Sequence, residues 1–97
     1  MNIRFSIDKD GQGIVDRYIG STYKDTIYCN NYILLENNEF SFEEVLKSFK
    51  DIHWSLNELT QLHNVLMSGT NTLLYTDSHN KIYFHTITED DNIWIKY

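Results

Sequence analysis

Two helix-capping signals in the middle of the chain constrain its fold more than any other feature. The first is Ser41 followed three residues later by Glu44, a capping box in which each side chain bonds the other residue's backbone N–H. This pattern predicts a helix over residues 42–52. The helix has one apolar face, formed by Phe42, Val45, Leu46, Phe49 and Ile52.

A second capping box, Ser55 with Glu58, follows after a very short corner. It predicts a second helix over residues 56–67. Gly69 then stands where a glycine commonly ends a helix in the left-handed conformation. The apolar stripe of this helix consists of Leu56, Leu59, Leu62 and Leu66. The centre of the chain is therefore predicted to be a pair of amphipathic helices.

Patterns typical of strands precede the helices. Apolar and polar residues alternate over residues 3–8, as in a strand with one buried face. Residues 14–19 fit a short helix or a strand about equally. Residues 26–36 are rich in side chains that favour strands. The Asn-Asn pair at 30–31 predicts a two-residue hairpin turn there, because Asn tolerates positive φ.

Strand patterns return after the helices. Short apolar or alternating runs occupy residues 73–75, 82–87 and 93–97, and polar turn-forming residues at 77–80 and 89–92 separate them. Three short strands with tight turns predict an antiparallel meander. We expect the N-terminal strand to join the sheet that this meander forms.

These elements predict an α+β fold in a single domain spanning residues 1–97. Its antiparallel sheet would combine the N-terminal strand with the three-stranded C-terminal meander, and the two central helices would pack on one face. A chain of 97 residues has the size of one domain. Seven Tyr, five Phe and two Trp supply enough large side chains for one core without disulfides.

The charge balance limits the classes of partner. Fourteen acidic residues face eight basic ones, which gives a net charge of −6. Such a surface repels nucleic-acid phosphates and anionic membranes, and the sequence has no Lys/Arg cluster to offset this. An acidic surface attracts basic protein patches and speeds association with them. A mildly acidic surface also serves solubility alone.

Cysteine usage and hydropathy indicate the compartment. Cys29 is the single cysteine, so no disulfide can form within the chain, as is usual in a reducing cytosol. The first eight residues alternate in polarity and lack the continuous apolar run of a signal peptide. No apolar run approaches the ~20 residues of a membrane span. We expect a cytoplasmic protein.

The search for reactive constellations finds none at a diagnostic spacing. Residues 8–13 resemble the start of a calcium loop, but position twelve would be Ile19, where a bidentate Glu is needed. The histidines are scattered and match no zinc spacing; they are His53, His63, His79 and His85. Cys29 could pair with a histidine only if the fold brings them together. We therefore expect no metal or other cofactor and no catalytic activity.

The acidic turn near the C-terminus is the candidate binding site. Glu89, Asp90 and Asp91 repel one another in one short turn and offer no evident folding benefit. Trp94 follows closely, and an exposed tryptophan beside acids is typical of an interface hot spot. Asp77 lies in the preceding turn and joins the candidate set, although the two turns fall at opposite ends of the middle strand. The acidic stretch from Glu36 to Glu44 is an alternative surface.

In composition alone, the chain is similar to two groups of small acidic inhibitors. One is the immunity proteins that neutralise bacterial toxins, often nucleases with basic clefts. The other is phage-encoded inhibitors of host defence nucleases, of the anti-CRISPR or anti-restriction type. The similarity covers no motif and transfers no residue roles. We favour an immunity protein that blocks a nuclease toxin; a structural or oligomerisation module and a small enzyme are less favoured alternatives.

Overall fold

A computed structural model of the protein describes residues 1–36 and 39–94, and these residues form seven strands and two helices in two sheets. The strands are β1 (Asn2–Ile7), β2 (Gly13–Ile19), β3 (Thr22–Cys29), β4 (Asn31–Leu35), β5 (Thr72–Thr76), β6 (Ile82–Thr86) and β7 (Asn92–Trp94). The helices are α1 (Phe42–Ser48) and α2 (Leu56–Ser68). The α+β class and the pair of central helices are confirmed. Neither helix is long and apolar enough to cross a membrane.

The first sheet has the strand order β3-β2-β1-β7. β1 and β2 pair antiparallel, as do β2 and β3, while β7 lies parallel to β1. The first residue of β2, Gly13, must be a glycine because there is no room for a side chain. A Cβ at this position would lie 2.6 Å from the ring of Tyr32 and 3.2 Å from Cys29 Cβ. The absent side chain lets β4 approach the first sheet closely.

The second sheet is antiparallel, with the order β4-β5-β6. Its central strand β5 is buried along its whole length. Leu73 and Tyr75 belong to a core shared with the first sheet, whereas Leu74 belongs to a core shared with the helices. The molecule therefore has three layers, first sheet, second sheet and helices, and β5 lies at their centre.

Both helix-capping predictions are confirmed. In α1 the Ser41 hydroxyl accepts from Glu44 N–H, and Glu44 accepts in return from Ser41 N–H; Ser55 and Glu58 do the same for α2. Gly69 ends α2 with φ of 68°. α1 ends earlier than the apolar pattern indicates. Beyond Ser48 the chain turns, so that Phe49 and Trp54 pack with ring centroids 6.4 Å apart.

The predicted sheet arrangement is wrong in three respects. The Asn-Asn pair at 30–31 makes no hairpin, because β3 belongs to the first sheet and β4 to the second. The C-terminal strands form no three-stranded meander, since β7 leaves β6 and pairs with β1. The N-terminal strand consequently joins β7 but shares no sheet with β5 and β6. Residues 14–19, left open between helix and strand, form most of β2.

The described residues pack as one compact domain. The Cα radius of gyration is 13.1 Å, close to the ~13 Å expected of a folded domain of 100 residues. Residues 95–97 of the predicted last strand lie outside the described part of the chain.

Candidate functional site

Asp91 is the best-connected residue of the acidic turn, and its side chain is 0% exposed. One carboxylate oxygen accepts from Ile3 N–H at 2.7 Å; the other accepts from Thr88 N–H at 2.7 Å and lies 2.9 Å from His85 Nε2. These contacts attach the loop between β6 and β7 to the first strand of the other sheet. The acid that sequence reasoning placed at an interface therefore holds the loop in position from inside.

The ionised form of Asp91 is favoured where it lies. Burial of the carboxylate works against ionisation, but the hydrogen bonds from Thr88, His85 and Ile3 outweigh burial and hold the pKa of Asp91 below the ordinary aspartate value. Both carboxylate oxygens accept hydrogen bonds from within the protein. The negative charge of Asp91 therefore stabilises the fold and is not presented to a partner.

Glu89 and Asp90 differ from Asp91, since both are exposed. They project from the loop that Asp91 anchors beside Ile3. Trp94 pairs with Ser6 in the register of β7 and β1, and its side chain lies outside what the structure describes. Two of the five predicted site residues thus place exposed carboxylates at this end of the molecule.

Asp77 lies at the opposite end of β6 and plays a local role. One of its carboxylate oxygens accepts from the N–H groups of His79 at 2.8 Å and Lys81 at 3.0 Å; the other accepts from the Tyr83 hydroxyl at 3.1 Å. Burial opposes ionisation, yet these donors lower the pKa of Asp77. The side chain shapes the turn between β5 and β6 and does not join Glu89 and Asp90.

The topology brings a second acidic segment to the same end as Glu89 and Asp90. β4 and β6 both run antiparallel to β5, and Thr72 pairs with Leu35 on one side and Thr86 on the other. The residues that follow β4 and β6 therefore leave the sheet at one end, and α1 begins from that end. We call the exposed carboxylates gathered there the acidic end: Glu36, Glu39, Glu43, Glu44, Glu89 and Asp90.

The other end of the molecule has mixed charge. The Asn31 amide donates to Ser48 O, which places the end of α1 beside the start of β4. Exposed lysines at the turns there alternate with acids; the lysines are Lys9, Lys50 and Lys81, and the exposed acids are Asp8, Asp10 and Asp51. Among the described residues, the excess of acidic over basic side chains is thus concentrated at the acidic end.

An ion pair closes one edge of the space between the sheets. Arg17 donates to Asp25 across β2 and β3, with the closest N···O distance 2.5 Å. This hydrogen bond lowers the pKa of Asp25 and raises that of Arg17. The Arg17 guanidinium also lies 5.6 Å from the ring centre of Tyr83, which stacks on Tyr75. These groups are engaged with one another and stabilise the sandwich edge.

Cys29 is the one cysteine and is buried, with 4% of its surface exposed. Burial raises the pKa of its thiol to about 12, so the reactive thiolate is scarce near neutral pH. A groove of about 600 Å³ borders it, and no histidine is among the groove's lining residues in the described chain. Within residues 1–36 and 39–94, no three potential metal ligands cluster either.

A thiol-labelling experiment tests this environment. We expect Cys29 to react with an aromatic disulfide reagent at pH 7.5 at least about 100-fold more slowly in the folded protein than in urea, because both access and ionisation are limited. The urea-unfolded chain is the matched control. Comparable rates in the two states would show that the thiol is accessible and would reopen a nucleophilic role.

Comparison with protein-family models, with curated proteins and with solved structures finds no match to this chain.

Proposed function

We propose that this protein is a small acidic, protein-binding inhibitor that acts in the cytoplasm. Most concretely, it would be an immunity protein that neutralises a bacterial nuclease toxin. The observation that carries the proposal is the acidic end, where two segments distant in sequence place exposed carboxylates together. A cleft that holds nucleic acid presents Lys and Arg to phosphates, and carboxylates in this arrangement complement such a cleft.

The proposed mechanism is occlusion of the cleft. Carboxylates of Glu89 and Asp90 from one loop, with Glu36 and Glu39 from another, would pair with the basic side chains that otherwise bind phosphate. Asp91 would contribute indirectly, because it fixes the loop that carries Glu89 and Asp90. Trp94, next to this loop in sequence, is the proposed aromatic anchor of the contact.

Capture of the partner, followed by an inhibition assay, tests this function. The immobilised protein is exposed to lysate of the native host, and captured basic proteins are purified and assayed for hydrolysis of DNA and RNA. We expect one of them to be a nuclease whose activity falls to near zero at one equivalent of this protein. Recovery of no nuclease, or a captured nuclease that stays active at equimolar ratio, would contradict the proposal.

Charge-neutralised variants then locate the contact. For Glu89→Gln/Asp90→Asn we expect association with the nuclease to slow by about 10-fold at low salt and its salt dependence to flatten, because the removed charges steer the encounter. The matched control is Asp10→Asn/Asp51→Asn, which removes the same charge from the opposite end. Association rates from surface plasmon resonance at two salt concentrations compare the pairs. Equal slowing by both pairs would point to net charge and not to the acidic end.

A further inference from the structure

The first sheet has an outer face that no described element covers. Residues of its strands alternate, so that Phe5 and Val15 point into the core between the sheets while their neighbours Arg4 and Asp16 point the other way. The helices cover the second sheet, which leaves this face of the first sheet to solvent. Among the described elements, this four-stranded sheet thus has one face without a packing partner.

The outer face is aromatic, in contrast to the acidic end. Tyr28 on β3 is 64% exposed and Tyr23 is 55% exposed, and Tyr23 packs edge-on against Tyr18 of β2 with ring centroids 5.8 Å apart. Ile14 pairs with Tyr28 in the register and adds aliphatic surface. Tyrosine-rich, weakly charged surfaces are typical of protein interfaces.

One opposite-charge couple occupies the middle of this face. Arg4 and Asp16 are direct partners across β1 and β2, the two central strands. Within the described residues Arg4 forms no salt bridge, although it is exposed, and Asp16 accepts only from the Thr26 hydroxyl at 2.6 Å. The guanidinium has donors to spare, and the carboxylate retains acceptor positions.

We propose that the outer face binds a second copy of this chain, with Arg4 of each copy paired to Asp16 of the other. A twofold axis along the strands, between β1 and β2, carries Arg4 onto Asp16 and Asp16 onto Arg4. One positive and one negative group placed side by side across such an axis form a self-complementary surface, as an isologous dimer requires. The same operation places Ile14 over Ser6 of the second copy.

The size of the face sets the expected affinity. With strands about 4.8 Å apart and a rise of about 3.3 Å per residue, the outer face measures about 20 Å by 20 Å in projection. This projected area, about 400 Å² per copy, is about half of what a standard specific complex buries per partner, so the contact belongs to the weak, transient class. We therefore expect a dissociation constant of about 10–100 μM and an equilibrium that moves with concentration.

A charge-swap experiment on the full chain tests the pairing. By sedimentation equilibrium, we expect the mass of the unaltered protein to rise from 11.6 kDa toward double that value between about 1 and 500 μM. Arg4→Asp and Asp16→Arg should each remain monomeric, because each places like charges opposite each other twice. Mixed one to one, the two variants should associate at least as tightly as the unaltered protein, because both contacts then join opposite charges.

Matched controls carry the same charge changes away from the face: Lys9→Asp for the first variant and Asp10→Arg for the second. Both should dimerise like the unaltered protein. A monomeric unaltered protein at 500 μM would overturn the proposal, as would single variants that still dimerise. If the chain instead dimerised edge to edge through β3, the Arg4→Asp and Asp16→Arg variants would still dimerise.

A measurement without substitutions covers the case in which Asp16→Arg fails to fold. On dilution, backbone amide shifts in NMR spectra should change for outer-face residues of β1, β2 and β3 and stay constant in α1 and α2. Changes confined to the helices, or none at all, would overturn the proposal. Dimerisation is measured with no nuclease present, so its failure is separate from failure of the inhibitor proposal.

Discussion

Replacement of Asp91 by Ala is expected to lower the free energy of unfolding by about 3 kcal/mol, because it removes the acceptor shared by Ile3 N–H, Thr88 N–H and the ring of His85. The side chain of Asp91 is fully buried. The loop between β6 and β7 and the attachment of β7 to β1 should both weaken.

Urea unfolding monitored by tryptophan fluorescence measures this effect, and Asp90→Ala is the control. Asp90 is adjacent and exposed, so its truncation should change stability by no more than about 0.5 kcal/mol. Equal effects of the two substitutions would show that the Asp91 contacts do not contribute to stability. A large effect of Asp90 alone would reverse the assigned roles of the two residues.

The same residue predicts a direction for pH dependence. The pKa of Asp91 is lower in the folded protein than in the unfolded chain, so its stabilising contribution is present above the ordinary aspartate pKa and lost as pH falls below it. The pKa values of Asp25 and Asp77 are also lowered by folding, so their contributions to stability are likewise lost as pH falls. We expect stability to fall between about pH 5 and pH 2, and Asp91→Asn to show a shallower decline. Identical profiles for the two proteins would contradict a lowered pKa at Asp91.

Leu74→Ala is expected to cost about 3–4 kcal/mol of unfolding free energy. Leu74 is fully buried on β5 and faces the core between the second sheet and the helices. Because the neighbouring strands on both sides hold β5 in place, the cavity cannot easily collapse. Leu73→Ala should cost a similar amount on the opposite face of the same strand.

Leu56→Ala is the matched control for this truncation. It removes the same atoms from a side chain that is 81% exposed at the start of α2. We expect a change of no more than about 0.5 kcal/mol. Thermal and urea unfolding of the three variants compare them directly. A cost for Leu74→Ala close to that of Leu56→Ala would mean that the helices do not pack on β5 as described.

The helices could be predicted because their signals are local. A capping box joins residues three apart, and the apolar stripe repeats within four residues, so neither depends on distant parts of the chain. The early end of α1 could not be predicted in this way. Phe49 and Ile52 continue the apolar stripe, but they reach the same core from a turn beyond the helix.

The sheets could be predicted only as separate strands. Alternation at 93–97 indicates a strand, but it carries no information on whether that strand pairs with β6 or with β1. The Asn-Asn pair has the chemistry of a tight turn, and the chain does change direction there, yet it passes from one sheet to the other. Pairing depends on contacts between residues far apart in sequence, which a local pattern does not contain.

In the candidate site, too, local features could be predicted from the sequence, whereas contacts between distant residues could not. Exposure of Glu89 and Asp90 agrees with their place in a polar turn, but the donors that surround Asp91 include Ile3, 88 positions away. Glu89, Asp90 and Asp91 look equivalent in the sequence. In the fold the first two are exposed, whereas the side chain of Asp91 is buried. The continuous apolar run at 73–75 is typical of a strand buried on both faces, and β5 is such a strand, since it lies between the first sheet and the helices.

The parallel pairing of β1 with β7 has a consequence for how the chain folds during synthesis. Arg4 meets Asn92, so all the residues between them must leave the ribosome before this pair can form. β1, β2 and β3 can assemble early as a local antiparallel ribbon, but one edge of β1 then stays unpaired until β7 has been synthesised. Closing so long a loop is entropically costly and slow. The nascent protein therefore carries an open strand edge while the residues between β3 and β7 are synthesised, and that edge is the natural point for chaperone contact or for misassembly between neighbouring chains.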